Sequence, residues 1–402
     1  DPDLERLAGE YLPLTFSRRH GDPSRPWNLF AIEIKDEHGR KVLSYQGNWR
    51  DIFQNWEALA LSFPGYVEGM VFRFLNGSTA DGYNPYRVTR DGFEWEVPEP
   101  ENPWSNIGYW GDHQIIYLLK LLELSASHHP GALEELLTRD LFVSVNVPYR
   151  IKPYEALLAH PRDTIEFDEA LDRTLKERMG AVGSDGYLWR TGDDLYRVNL
   201  CEKLLVPVLA KLSSFIPEAG IWMNTQRPEW NDANNALVGY GVSMVTLCYL
   251  RRYLAFAQRL FARLQDEGAP VSEAVVRHLE RVTQVLQENA GLLSGPFSDR
   301  DRRRVLDGLG EAGGEYRRVL YGEEVSGRRR ALSAEDLVGF CELALSWVDH
   351  TIRANRRPDG MYHAYNLMSA TGDELSVRRL TVMLEGQVAA LSAGLLSPAE
   401  VV

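Results

Sequence analysis

The stretch PEWNDANNALVG, residues 228–239, holds two acids, Glu229 and Asp232, with Trp230 and Asn231 between them, and leads into an apolar helical run. In or just before the first turn of a helix, both carboxyl groups can face one cleft. A carboxyl group that donates a proton near neutral pH must first keep it, and burial beside an indole and a like-charged neighbour raises its pKa. Trp222, Trp230 and the acid pair supply those ingredients, and the chemistry they fit is general-acid cleavage of a glycosidic bond. The plainer alternative is a helix cap. Hydrolysis with inversion also needs a base that activates water from the opposite face of the sugar, roughly 6.5–9.5 Å from the acid. Glu385, a lone acid in the apolar run 377–396, is the first choice for it and Asp112 the second. Arg378 and Arg379 are near enough in sequence to pair with Glu385 instead.

Sugars present flat C–H faces and a rim of hydroxyls, so their sites combine aromatic planes with polar side chains. Three further stretches carry that mixture. GNWRDIFQNWEAL, 47–59, offers Trp49, Arg50 and Asp51 at a loop-to-helix junction, with Asp51 as a helix N-terminal charge and Trp56 as core in the plainer reading. In 84–123, Tyr86, Arg87, Trp104, Tyr109 and Trp110 accumulate before Asp112 and His113 at a helix start, where Asp112 also suits an N-cap. RPDGMYHAYNLM, 357–368, adds Tyr362, His363 and Tyr365. The expected substrate-binding set is therefore Trp49, Arg50, Asp51, Arg87, Trp110, Asp112, His113, Trp230, His363 and Tyr365. Arg18, Arg19, His20 and Arg25 suit an anion or a sugar acid, and equally suit pairing with the chain's own acids. His113 has no second His at ligand spacing, and HxxxH and CxxC are absent, so neither a metal nor another cofactor is expected. Nucleotide-binding and serine-hydrolase motifs are missing, and the Gly-rich GLGEAGG at 308–314 follows no strand and reads as a loop.

The elements that must position these residues read as mostly helical. Two alternating runs around DEHGRK in 29–46 predict a small N-terminal β-hairpin. Residues 51–75 read as two short helices broken at FPG, and 76–111 as a long functional loop rich in Pro, Gly and Trp. Helical periodicity then marks 112–127, 131–139, 168–179, 200–215, 234–265, 272–293, 300–320, 333–355 and 376–395. There is no fixed-period repeat and no linker, so residues 1–402 are expected to form one all-α domain. A closed toroid of helical hairpins, the (α/α)6 barrel, gathers long loops around one cleft and suits this pattern better than a solenoid.

Composition narrows the partners. Of 402 residues, 44% are hydrophobic and 25% charged, which is the globular range. The net charge of −13 argues against nucleic acid as a partner. No apolar run is long enough to span a bilayer. Cys201, Cys248 and Cys341 read as buried free thiols, which suits a reducing, cytoplasmic setting. No signal peptide is visible, and the abrupt start at Asp1 and the helix-like ending LLSPAEVV suit an excised domain.

The acid stretch also resembles a known pattern. PEWNDANNALVG is similar to the catalytic-acid segment of the cellobiose- and chitobiose-phosphorylase group, Asp-Trp-Asn-Asp-Gly, and to that of the maltose- and trehalose-phosphorylase group, where a Glu shortly precedes Asn-Asn-Ala. Both groups belong to the six-hairpin, (α/α)6-barrel glycosidases, together with glucoamylases, trehalases and processing α-glucosidases. NWRDIF and GYWGDHQ resemble their substrate loops, so the likeness touches 47–113, 220–250 and 357–390. It implies that Glu229 stands where the pattern has its acid, with Asp232 at the second Asp. No phosphate-binding His/Ser/Gly set is found, which favours an inverting glycoside hydrolase acting on an oligosaccharide. The alternatives are a glycoside phosphorylase using inorganic phosphate, a non-catalytic sugar-binding toroid, and a sugar epimerase or lyase relying on His363 and His113.

Overall fold

Residues 1–13, 35–40, 45–90, 92–95, 97, 101, 112–225, 237–322 and 327–401 are described in the computed structural model. Helices start where side chains satisfy their first N–H groups. Asp1 caps α1 (Pro2–Gly9), Asp168 caps α7 (Glu169–Val182), Asn199 caps α8 (Leu200–Leu212) and Ser243 caps α9 (Met244–Phe261). Ser333 and Asp336 form a reciprocal capping box on α12 (Ala334–Ala354). The other helices are α2 (Trp49–Ser62), α3 (Val67–Asn76), α4 (Asp112–His128), α5 (Ala132–Leu136), α6 (Tyr154–Ala159), α10 (Glu273–Glu288), α11 (Asp299–Gly322), α13 (Leu384–Ser392) and the short α14 (Pro398–Val401). The buried apolar α9 packs on α12, α13, α4 and α8, and α10 packs on α11. Their apolar faces join one continuous core that runs from Leu12 to Ala393.

The all-α expectation is corrected by the strands, which make up 16% of the structure against 56% helix. A five-stranded antiparallel sheet runs in the order β14-β13-β10-β9-β8. Its strands are β8 (Phe215–Ile216), β9 (Gly220–Trp222), β10 (Gly241–Ser243), β13 (Tyr365–Thr371) and β14 (Glu374–Arg379). Smaller sheets join β1 (Gln46–Asn48), β2 (Arg87–Thr89) and β3 (Gly92–Glu94); β4 (Tyr149–Ile151) and β5 (Ile165–Phe167); β6 (Arg190–Thr191) and β7 (Asp194–Leu195); and β11 (Ala269–Ser272) and β12 (Arg329–Leu332). The described residues form a mixed helical and antiparallel fold, and a closed (α/α)6 toroid is not shown among them.

Two expected helices change character for a local reason. The run 376–395 divides into β14 and α13. Within β14, burial alternates as ELSVRR requires, with Leu375, Val377 and Arg379 more covered than their neighbours, a period of two. Gly372-Asp373 closes the hairpin to β13, with Gly372 at φ +59°. The run 234–265 yields β10 before α9 begins at Met244. Inside the expected loop 76–111, β2 and β3 pair as a hairpin. The expected hairpin in 29–46 lies largely outside the described residues, but its turn is there: Asp36 Oδ1 accepts from the N–H groups of His38 and Arg40, each at 2.9 Å. Among the described residues no helix is long and apolar enough to cross a membrane.

Candidate functional site

The strongest concentration of buried polar side chains lies where the loop after α3 presses on α8. In that loop Thr79 Oγ1 donates to Asp81 Oδ1 at 2.5 Å and accepts from Tyr83 N at 3.0 Å. Gly82, at φ +89°, makes the approach possible, since a Cβ there would lie 3.1 Å from Val206 O and 3.2 Å from Pro207 Cα. Asp81 also accepts from Tyr321 Oη, and Tyr316 Oη donates to Ala80 O at 2.6 Å, so α11 holds the loop from the other side. Asn84 is fully buried, and Gln114, in the first turn of α4, donates to its Oδ1 at 3.3 Å.

Below the loop, Lys203 on α8 is buried and donates to Val143 O at 2.9 Å, Ser144 Oγ at 3.0 Å and Ser78 O at 3.4 Å. Burial lowers its pKa to about 7, with its neighbour Glu202 opposing the shift. Burial raises the pKa of Glu202, and hydrogen bonds from the Ser272 N–H and hydroxyl pull it back. Further along α8, the Lys211 ammonium lies 5.7 Å from the centre of the Tyr83 ring. Asn224, just past β9, donates to Ser214 Oγ at 3.1 Å.

Two hollows open in this region. One, of about 20 Å³, is lined by Ser78, Thr79, Gln114, Ser144, Glu202 and Lys203 among others. The second, of about 10 Å³, is lined by Tyr83, Lys211, Ser214, Trp222, Asn224 and Thr225 among others. Each has room for about one water molecule, so neither alone holds a sugar ring. Gln114 and Thr225 are the important members. Thr225 is the last described residue before 226–236, and Gln114 follows 102–111 by three positions. Thr225 and Gln114 thus line different hollows, each of which also borders α8.

The expected residues are distributed unevenly. Glu229, Trp230, Asp232 and Trp110 lie outside the described residues, as do Trp104, Tyr109, Arg18, Arg19, His20 and Arg25. Asp112 and His113 open α4. Trp49 is a core side chain, 1% exposed and packed on Phe53, Phe74 and Phe93 at centroid distances of 5.0, 5.2 and 5.7 Å. It offers no open face for a sugar, and Tyr365, fully buried at the start of β13, offers none either. Arg50 lies 3.8 Å from the buried Asp51, and Arg87 pairs with Glu94 at 2.9 Å across β2 and β3. His363 is half-buried, with Nδ1 3.1 Å from Leu380 O; desolvation leads the causes that lower its pKa.

Glu385 is half-buried in the first turn of α13 and not within a core helix. Trp222, Val242, Asn366 and Arg379 pair in a row across the sheet, and residues 223–225 and 237–241 lie beyond one edge of that row. The chain leaves β14 by the opposite edge on its way to Glu385. Sequence reading missed Tyr83, Asn84, Gln114, Lys203 and Asn224. The turn-rich DGYNP was a visible signal for the first two. Neutral amides and a lone lysine inside an apolar helix give no signal of their own. No family model matches this chain, and no curated protein matches it.

Proposed function

We propose that the protein cleaves glycosidic bonds, with Glu229 as the proton donor and Asp232 as its acidic neighbour. The observation that carries this reading is the pair of polar hollows along α8. Gln114, three positions after the segment 102–111 that bears Trp110, lines one, and Tyr83, Asn224 and Thr225 line the other, where the segment 226–236 that bears the Glu229/Asp232 pair begins. Uncharged donors and acceptors beside aromatic rings suit a polyhydroxylated ligand. Hydrolysis with inversion remains the leading form of the reaction, with Glu385, or else Asp112, as the candidate base. The second reading is phosphorolysis, in which phosphate replaces activated water and no protein base is required.

The test is a screen of α- and β-linked oligosaccharides with and without phosphate, run beside Glu229→Gln and Asp232→Asn. Free sugar without phosphate, and a loss of roughly 10²–10⁴ in turnover in Glu229→Gln, are the expected results. Sugar phosphate formed only with phosphate would move the assignment to phosphorolysis. Absence of turnover on every glycoside would overturn the proposal.

A further inference from the structure

A second feature lies at the sheet edge where 226–236 rejoins the fold. Leu237 and Tyr240 form one wall of an open groove of about 440 Å³, and β13 and β14 form its floor with Ser369, Ser376 and Arg378. Arg162 completes the lining beside Tyr240. That volume is within the range of small-molecule sites, unlike the two hollows described above.

The groove is built from fixed parts. The turn 237–240 is held from both sides: Gly239 N donates to Met223 O at 2.8 Å and Met368 N to Tyr240 O at 2.9 Å. Trp222 Nε1 adds a bond of 2.8 Å to Gly239 O. Gly239, at φ +92°, lets the turn press on the 160–163 turn, since a Cβ there would lie 2.8 Å from both Pro161 O and Arg162 Cγ. This seats the Arg162 guanidinium 5.4 Å from the Tyr240 ring centre, while 43% of Tyr240 stays exposed. Ser369 pairs with Ser376 and Leu367 with Arg378, so their side chains share one face of the hairpin.

Charge decides what the groove takes. In a chain of net charge −13, Arg162 and Arg378 have no acid partner among the described residues. The acids closest in sequence are engaged elsewhere: Asp163 pairs with Lys152 at 2.7 Å, and Asp373 and Glu374 pair with Arg300 at 3.2 and 3.4 Å. Two unpaired guanidinium groups, two serine hydroxyls and an exposed phenol ring around one groove make a receptor for an anion on a hydroxylated frame.

We propose that this groove binds an acid-bearing sugar unit, with its carboxylate or sulfate held by Arg162 and Arg378 and its ring beside Tyr240. This rests on the glycan reading above and adds to it that the substrate is an anionic saccharide. Calorimetric titration of the whole chain with oligouronates, sulfated oligosaccharides and neutral oligosaccharides of equal length tests it, using wild type, Arg162→Ala and Arg378→Ala. Both arginines are exposed, so unchanged melting temperatures will verify folding. Acidic oligosaccharides are expected to bind roughly tenfold or more tightly than neutral ones, with each substitution removing much of that preference and added salt weakening it. The stronger of the two acidic ligands names the acid group. Equal binding of acidic and neutral saccharides, or full affinity in both variants, overturns the groove proposal and leaves the glycan reading standing. Failure of every saccharide to bind overturns both.

Discussion

At the scale of single residues, Lys203 makes the sharpest claim. Its ammonium group is out of water and held by two carbonyl oxygens and one hydroxyl, with no carboxylate among those three acceptors. Folding lowers its pKa from 10.5 to about 7. Between those values the unfolded chain binds a proton that the folded chain has released, so raising the pH through that window stabilises the fold. Below about 7 both states hold the proton and the full cost of burying the charge is present. Urea unfolding of wild type should therefore show a gain approaching about 1 kcal/mol per pH unit across the window that Lys203→Met lacks. Equal gains in the two proteins would assign the linked proton to another group.

At the scale of elements, the glycines of α11 explain why a loop-like sequence is helical. Gly308, Gly310, Gly313 and Gly314 lie inside Asp299–Gly322, where glycine costs helix stability. The fold recovers that cost through close approach. A Cβ on Gly310 would lie 2.2 Å from the Tyr154 ring of α6, and one on Gly313 would lie 2.6 Å from Ser213 Oγ. Tyr154 Oη meanwhile donates to Asp307 Oδ1 at 2.7 Å. Gly310→Ala should displace that ring and destabilise the protein by about 1–3 kcal/mol. Gly314→Ala, whose Cβ would meet Tyr154 only at 3.8 Å, should be neutral or stabilising by up to about 1 kcal/mol. Denaturation midpoints of the two variants check this, and equal effects would show that α11 does not depend on contact with Tyr154.

At the scale of the whole molecule, three thiols report on the integrity of the core. Cys201, Cys248 and Cys341 are free and 0%, 3% and 1% exposed. Burial raises all three pKa values, those of Cys248 and Cys341 to about 12. Since the thiolate is the nucleophile, none should react with an aromatic disulfide reagent in the native protein. All three should react together once denaturant unfolds the core that surrounds α8, α9 and α12. Rapid labelling of one thiol under native conditions would show that its helix opens independently.

The sequence by itself determined the helical majority, because the signals are local: side chains cap α7, α8 and α12, and the apolar period of α10 puts its buried residues on one face. It also determined the buried thiols and the turn at Asp36, where a side chain satisfies backbone N–H groups a few residues away. The central sheet was only partly legible. The alternation and Gly-Asp turn of β13 and β14 were present, but short strands such as β9 and β10 are defined by partners, and Val242 finds Trp222 and Asn366 only through the fold. The candidate site followed the same division. Chemically conspicuous residues marked the acid stretch, whereas an indole such as Trp49 reads alike as core or sugar platform until burial distinguishes them. The meeting of Asn84 with Gln114 and of Asn224 with Ser214, and the two arginines around Tyr240 that have no acid partner among the described residues, depended on tertiary structure alone. Neutral amides and surface arginines acquire meaning from the neighbours that folding gives or denies them.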